Sequence, residues 1–153
     1  MLPVLLLLHL VGFAAFVGGA LAQQQLLRRS ADAGMAAAAR DELERLAALA
    51  CTRLELGGLF LQVLSGVGIA LMAPAFLAQH WLHAKLTCVA ILLFVAHLEM
   101  INARRIVKAR AARGDAAEPE IAGRKRRQAT LGLVTGALIA AVVLLVTVLR
   151  AAF

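Results

Sequence analysis

Residues 18–29 read GGALAQQQLLRR and close an apolar run that begins at Leu2. Ala20-Leu21-Ala22 ahead of Gln23 has the small-x-small pattern of a signal-peptidase site, while the same residues also suit the end of a membrane span. A secretory signal carries its basic residues before the apolar core. Here only the chain's amino group precedes the run, and Arg28-Arg29 follow it. His9, in the middle of the run, is a second mismatch with a signal peptide. The segment therefore reads as a retained first span, and Ala-Leu-Ala as chance in an Ala-rich chain.

Composition supports a membrane setting for the whole chain. Of 153 residues, 62% are hydrophobic, and the mean hydropathy is +0.85. Apolar usage in a soluble domain is nearer about half. Four stretches are long enough for about 30 Å of hydrocarbon, which takes roughly 20 helical residues. They lie at about 2–22, 56–77, 84–103 and 129–149. Backbone groups cannot stay unpaired in lipid, so each stretch is expected to be an α-helix. The sequence thus predicts an all-α, four-transmembrane-helix antiparallel bundle, a single domain over 1–153.

Lys and Arg set the expected orientation. The connection between spans one and two holds Arg28, Arg29, Arg40, Arg45 and Arg53. That between spans three and four holds Arg104, Arg105, Lys108, Arg110, Arg113, Arg124, Lys125, Arg126 and Arg127. The opposite side has only Lys85 and Arg150, which makes fourteen against two. Both long connections are expected in the cytoplasm and both termini outside, as in a bacterial-type inner membrane. The basic linker has no interleaved aromatics, which argues against nucleic acid and for contact with anionic lipid.

Each cytoplasmic connection is expected to extend a span as helix. ARDELERLAALACTRLE (residues 40–55) puts Leu43, Leu46, Ala50 and Leu54 on one face and spaces Arg40–Glu44 and Asp41–Arg45 for pairing along the helix. Gly34 is the expected turn before it. RRIVKARAARGD continues span three, GDAAEPE turns, and GRKRRQ restarts span four. On the outer side Pro74 ends span two and Trp81 sits at aromatic-belt depth. Gly132-x-x-x-Gly136 in span four permits close helix approach, and small residues there and on span two allow a homodimer or membership of a larger membrane complex. Span four otherwise reads as a supporting wall. Cys51 and Cys88 fall in different settings, one in a connection and one in a span, so no bridge between them is expected.

Polar residues inside spans are costly and are candidate functional groups: His9, Gln62, Ser65, Lys85, His97 and Glu99. Histidines in an apolar bundle point to haem first, since a bundle core can enclose a porphyrin and imidazole is a strong axial ligand. His9 lies about 10 Å and His97 about 20 Å below the outer surface. A bis-histidine site therefore needs strong tilt, and ligation by one of them asks less. His80 and His83, near Cys88, form a weaker candidate for copper or zinc. Glu99 is close enough to the cytoplasmic end to reach Arg53 or Arg104. No Ser-His-Asp set, phosphate loop, paired-carboxylate site or CxxC supports soluble-enzyme chemistry.

His9-x6-Phe16-x-Gly18-Gly19 resembles the H-x6-W-x-G-G pattern of HemJ-type protoporphyrinogen oxidases and CopD-like copper-resistance membrane proteins. Trp81-Leu82-His83-Ala84-Lys85-Leu86 resembles the HemJ segment in which a required lysine enters a later span. Ser65-Gly66-Val67-Gly68 resembles the small-residue turn of the second span. The resemblance covers roughly the first hundred residues and implies a diverged member of that superfamily, with haem b in the bundle and His9 and Lys85 as the important pair. The expected function is a haem-binding or redox-associated membrane protein, using His9, with His97 as candidate second ligand and Lys85 near a propionate. The alternatives are a non-enzymatic accessory subunit and a CopD-like copper-handling protein.

Overall fold

A computed structural model describes residues 1–149 and is helical throughout. Arg150, one of the two basic residues assigned above to the outer side, falls outside the described residues. Helix α1 spans Leu2–Arg29, with Pro3 in its first turn, where a missing N–H costs nothing. Residues 30–36 turn the chain around Gly34, as the sequence predicts. Helix α2 runs from Ala37 to Met72, with a wider π-type turn over Ala50–Glu55. A short 3₁₀ turn at Pro74–Ala78 leads into α3, His80–Arg113. Gly114, at φ 54°, opens a second 3₁₀ turn, and α4 runs from Glu118 to Leu144 with a wide-turn continuation over Leu145–Leu149.

Three continuous helical stretches are long and apolar enough to cross a membrane: Leu2–Arg29, Ala37–Met72 and His80–Val148. The count is three where the sequence reading expects four; the last stretch is folded back at Gly114 into α3 and α4. Successive helices are antiparallel. Residues 30–36 and 114–117 share one end of the molecule, called here the linker end. The Pro74–Ala78 turn and the start of α1 share the other, the hairpin end.

Helices α1 and α2 meet through glycine. A Cβ on Gly58 would lie 2.5 Å from the Phe16 amide nitrogen, and one on Gly12 2.7 Å from that of Gln62. One on Gly19 would collide with the Glu55 backbone. The interior stripe of α1 is Gly12, Phe16, Gly19, Gln23 and Leu27, a spacing of three and four that keeps one helix face inward. Gly18 and Gly136 have open space around them. The Gly132–Gly136 motif therefore makes no close helix crossing in this chain, and only Gly132 is approached, by the Gln24 side chain.

Three apolar clusters follow the bundle axis. Phe16, Leu59, Leu92, Ala96 and Val142 fill the middle of the apolar half. Cys51, Met100 and Ala103 form a small layer below. Leu27, Ala47, Ile106, Ala109, Ala117 and Ile121 close the linker end. The outside of the apolar half carries Leu7, Leu10, Leu64, Leu71, Phe94, Leu133 and Leu144, all exposed. A surface this apolar is stable facing hydrocarbon rather than water.

The first part of α2 is turned by roughly one residue, about 100°, from the sequence expectation, so that Ala50 of the expected face is buried and Leu43 half-buried. Leu46 and Leu54 are exposed, the latter by 49%, while Glu44, Ala47, Cys51 and Glu55 face inward, Glu44 at 1%. The predicted Arg40–Glu44 and Asp41–Arg45 pairs do not form. Their partners on other helices win: Glu44 pairs with Arg110 and Lys125, Asp41 with Arg110, and Arg40 with Glu118. Arg45 pairs instead with Glu42. Helix α4 also begins earlier than expected, at Glu118 with Pro119 in its first turn, and Gly123 lies within it.

Candidate functional site

Two polar centres lie at different levels of the bundle. Nearer the hairpin end, His9 on α1 faces α2. Its Nδ1 is 2.8 Å from the Gln62 carbonyl oxygen and 3.2 Å from Ser65 Oγ. The Ser65 hydroxyl donates to the Leu61 carbonyl at 2.7 Å. Both groups thus offer lone pairs to Nδ1, so the ring proton belongs there and Nε2 keeps its lone pair. Glycine makes room for the ring: a Cβ on Gly66 would come within 3.2 Å of His9 Cε1. Half-buried Lys85 on α3 is near enough for its charge to act on the imidazole. Lys85 thus lies within range of the imidazole, with no hydrogen bond between the two side chains.

The structure does not bring the other candidates to them. His97 is exposed on the outer face of α3, because Val95, Ala96, Glu99 and Met100 take the inward positions around it. His80 and His83 are exposed at the start of α3, and Cys88 is half-buried and free. Among the described residues, no three His, Cys, Asp or Glu side chains are grouped to hold a metal ion.

The second centre lies near the linker-end limits of the apolar stretches and draws on all four helices. Glu99 is 1% exposed and accepts three hydrogen bonds. Thr135 Oγ1 donates to its Oε1 at 2.6 Å, and Gln23 Nε2 and Gln128 Nε2 donate to its Oε2 at 3.1 and 3.3 Å. Asn102 Nδ2 donates to Gln128 Oε1 at 2.7 Å and to the Arg124 carbonyl at 2.9 Å. Glu55 comes in from α2 beside Glu99. Glu99 thus turns inward to amide and hydroxyl donors rather than outward to Arg53 or Arg104, and α4 supplies two of the donors instead of being a plain wall.

Sequence reasoning passed over Gln23, Glu55, Asn102, Gln128 and Thr135. A usable signal was present: each span has a polar residue near its linker-end limit, so the four converge at one level of an antiparallel bundle. Nearer the linker end lies an ion network. Arg110, 5% exposed, meets Glu44 at 3.0 Å, Glu118 at 2.6 Å, Asp41 at 3.2 Å and Asp115 at 3.4 Å. Lys125 joins Glu44 at 2.7 Å and donates to the Ser30 carbonyl at 3.1 Å. Hydrogen bonding to Glu44 raises the Arg110 guanidinium well above its ordinary value, against the effect of burial. Burial alone would raise the Glu118 carboxyl, but the Arg110 hydrogen bond and charge outweigh it and hold that group low. Outside this network, Arg45, Arg53, Arg104 and Lys108 flank an open groove of about 440 Å³ between α2 and α3.

A helical bundle with an apolar exterior and polar groups folded inward belongs to the class of integral membrane proteins. Residues 3–150 match a family described as a predicted integral membrane protein (DUF2269), and the chain belongs to that family. No curated protein and no solved structure matches the chain.

Proposed function

We propose that this membrane protein crosses the bilayer four times, with its linker end in the cytoplasm, and holds a haem b at His9. The orientation is supported by the fourteen basic residues around the two linkers, and by the basic groove that offers a place for anionic headgroups. The observation that carries the haem reading is the Nδ1 contact with the Gln62 carbonyl at 2.8 Å. A backbone acceptor on one ring nitrogen fixes the tautomer and turns the other nitrogen into a ligand, as is usual for metal-bound histidine.

The residues fit the group on a second count as well. Gly66 lets the imidazole lie close against α2, which fixes the ring, and Lys85 provides an ammonium for a propionate. Haem held there would supply one-electron chemistry. The chain's own residues orient the imidazole, neutralise a carboxylate and keep lipid-facing apolar groups around both. His97, on the outside of α3, is not its partner, so His9 is the sole protein ligand in this proposal.

An absorption spectrum of the full chain, purified in mild detergent and supplemented with haem, tests it. A Soret band is expected, lost or strongly shifted in His9→Ala and unchanged in His97→Ala. Absence of the band in the wild-type protein overturns the proposal, and so does an unaltered spectrum in His9→Ala.

A further inference from the structure

We propose that Glu55 and Glu99 form a proton-binding site, a carboxyl pair that holds one proton between them at the level where the four helices bring their polar residues together. The proposal is independent of His9 and haem. Its starting point is an asymmetry between two buried carboxyls. Glu99 receives an N–H or O–H from Gln23, Gln128 and Thr135, which is the environment of an ionised, acceptor-only carboxylate. Glu55 is 0% exposed, and neither of its carboxyl oxygens has a hydrogen-bond partner.

An ionised Glu55 would be a second negative charge beside Glu99, out of water and with only the Cys51 thiol, a weak donor, beside it. A carboxylate so placed neutralises itself by taking a proton, and two carboxyls sharing a site do not both ionise. Among the described residues, the neighbours include no cation paired with Glu55. Facing Glu55 from α2 is the fully buried Cys51, and from α3 Glu99. Helices α1 and α4 bring only the neutral Gln23, Gln128 and Thr135 to the pair. Arg104 acts on Cys51 from an exposed position on α3 and leads to the basic groove.

Two further buried oxygens lack donors, Gln23 Oε1 and Asn102 Oδ1. The unpartnered side-chain atoms of this centre are all acceptors, so an added donor suits it and an added acceptor does not. A proton on Glu55 gives the pair an O–H donor and leaves one negative charge, which the three donors on Glu99 already accommodate. The backbone favours the same placement. The π-type turn over Ala50–Glu55 inserts an extra residue just before Glu55 and directs it inward, and such turns recur at functional sites. Gly19 lets α1 close over the Glu55 backbone and shut out water.

Infrared spectroscopy of the full chain in lipid nanodiscs, with and without ¹³C-labelled glutamate, tests the site. At neutral pH the wild-type protein is expected to show the carbonyl stretch of a protonated carboxylic acid, shifted by the label. Glu55→Gln should abolish the band, while the exposed control Glu42→Gln should leave it intact. Lack of a label-sensitive band in the wild-type protein overturns the proposal without reliance on any variant. A band that persists in Glu55→Gln also overturns it. So does a thermal midpoint raised by sodium or calcium chloride in the wild-type protein but not in Glu55→Gln, because that places a metal ion, not a proton, between the carboxyls.

Discussion

The two ends of the bundle are held together by opposite means. Toward the hairpin end, α1 and α2 approach until backbone touches backbone at Gly12, Gly19 and Gly58, and the polar contact between them is that of His9 with Gln62 and Ser65. Toward the linker end, one guanidinium on α3 gathers four carboxylates from α2, α4 and the turn between α3 and α4. The difference follows from solvent. Lipid supplies no hydrophobic driving force between helices, so close van der Waals packing of small residues must do the joining. Beyond the hydrocarbon, charges can be solvated in the unfolded chain and paired in the folded one, and electrostatics becomes usable.

The largest effect is expected from removing the charge at the centre of the linker end. Arg110→Met leaves Glu44 buried with Lys125 as its remaining partner. Breaking a buried pair costs about 3–5 kcal/mol, and Lys125 should hold the loss near the lower limit. A denaturant titration in mild detergent measures it, and a change below about 1 kcal/mol would mean that the pairing is only a surface effect. The corresponding break in the glycine-packed half is Gly58→Val, where the new side chain meets the Phe16 backbone. Overpacking of this kind costs about 1–3 kcal/mol. Gly57→Val, at a position with open space, is the matched control and should leave the midpoint close to wild type.

Acid should separate the two halves more gently. Glu118 is held below its ordinary value, so its contribution is fully present above that value and is lost as pH falls through the lower, folded one. With 38% of its side chain exposed, solvent screening keeps the effect small. Hydrogen exchange between about pH 6 and about pH 3 should show α2 before Ala50 and the α3–α4 turn loosening first. The His9 contact region should hold longer; simultaneous loosening of both ends would count against the contrast drawn here.

Much of the fold could be read from apolar length alone, since lipid imposes helix on any such stretch. The turn at Gly34, the stop near Pro74 and the basic linker at Gly114 all leave local marks. The orientation of α2 before Glu55 does not. Leu43, Leu46, Ala50 and Leu54 read as one packing face. In this protein Ala50 is buried and Leu43 half-buried, but Leu46 and Leu54 face outward and Glu44 and Glu55 inward, so the amphipathic pattern misplaces the face by roughly one residue. His9 was legible because a histidine in a leucine run is conspicuous. Gln23 was not, because it opens a polar-looking QQQ in which only the first residue is fully buried. Asn102, Gln128 and Thr135 become a site only when antiparallel register sets them at the depth of Glu99.

Helix α2 carries its own phase correction. The wide turn over Ala50–Glu55 holds one residue more than an α-helical path would need. Each residue of an α-helix advances the face by about 100°. An extra residue inside a regular helix would swing everything after it by that angle relative to everything before. The wide turn absorbs it locally instead, so Gly58 keeps its seat against Phe16 and Ser65 its place beside His9, while Glu44 stays with Arg110. Losing one residue inside the turn would let α2 close into regular helix with both halves of the molecule still in register. The turn is therefore the place where α2 tolerates a change of length.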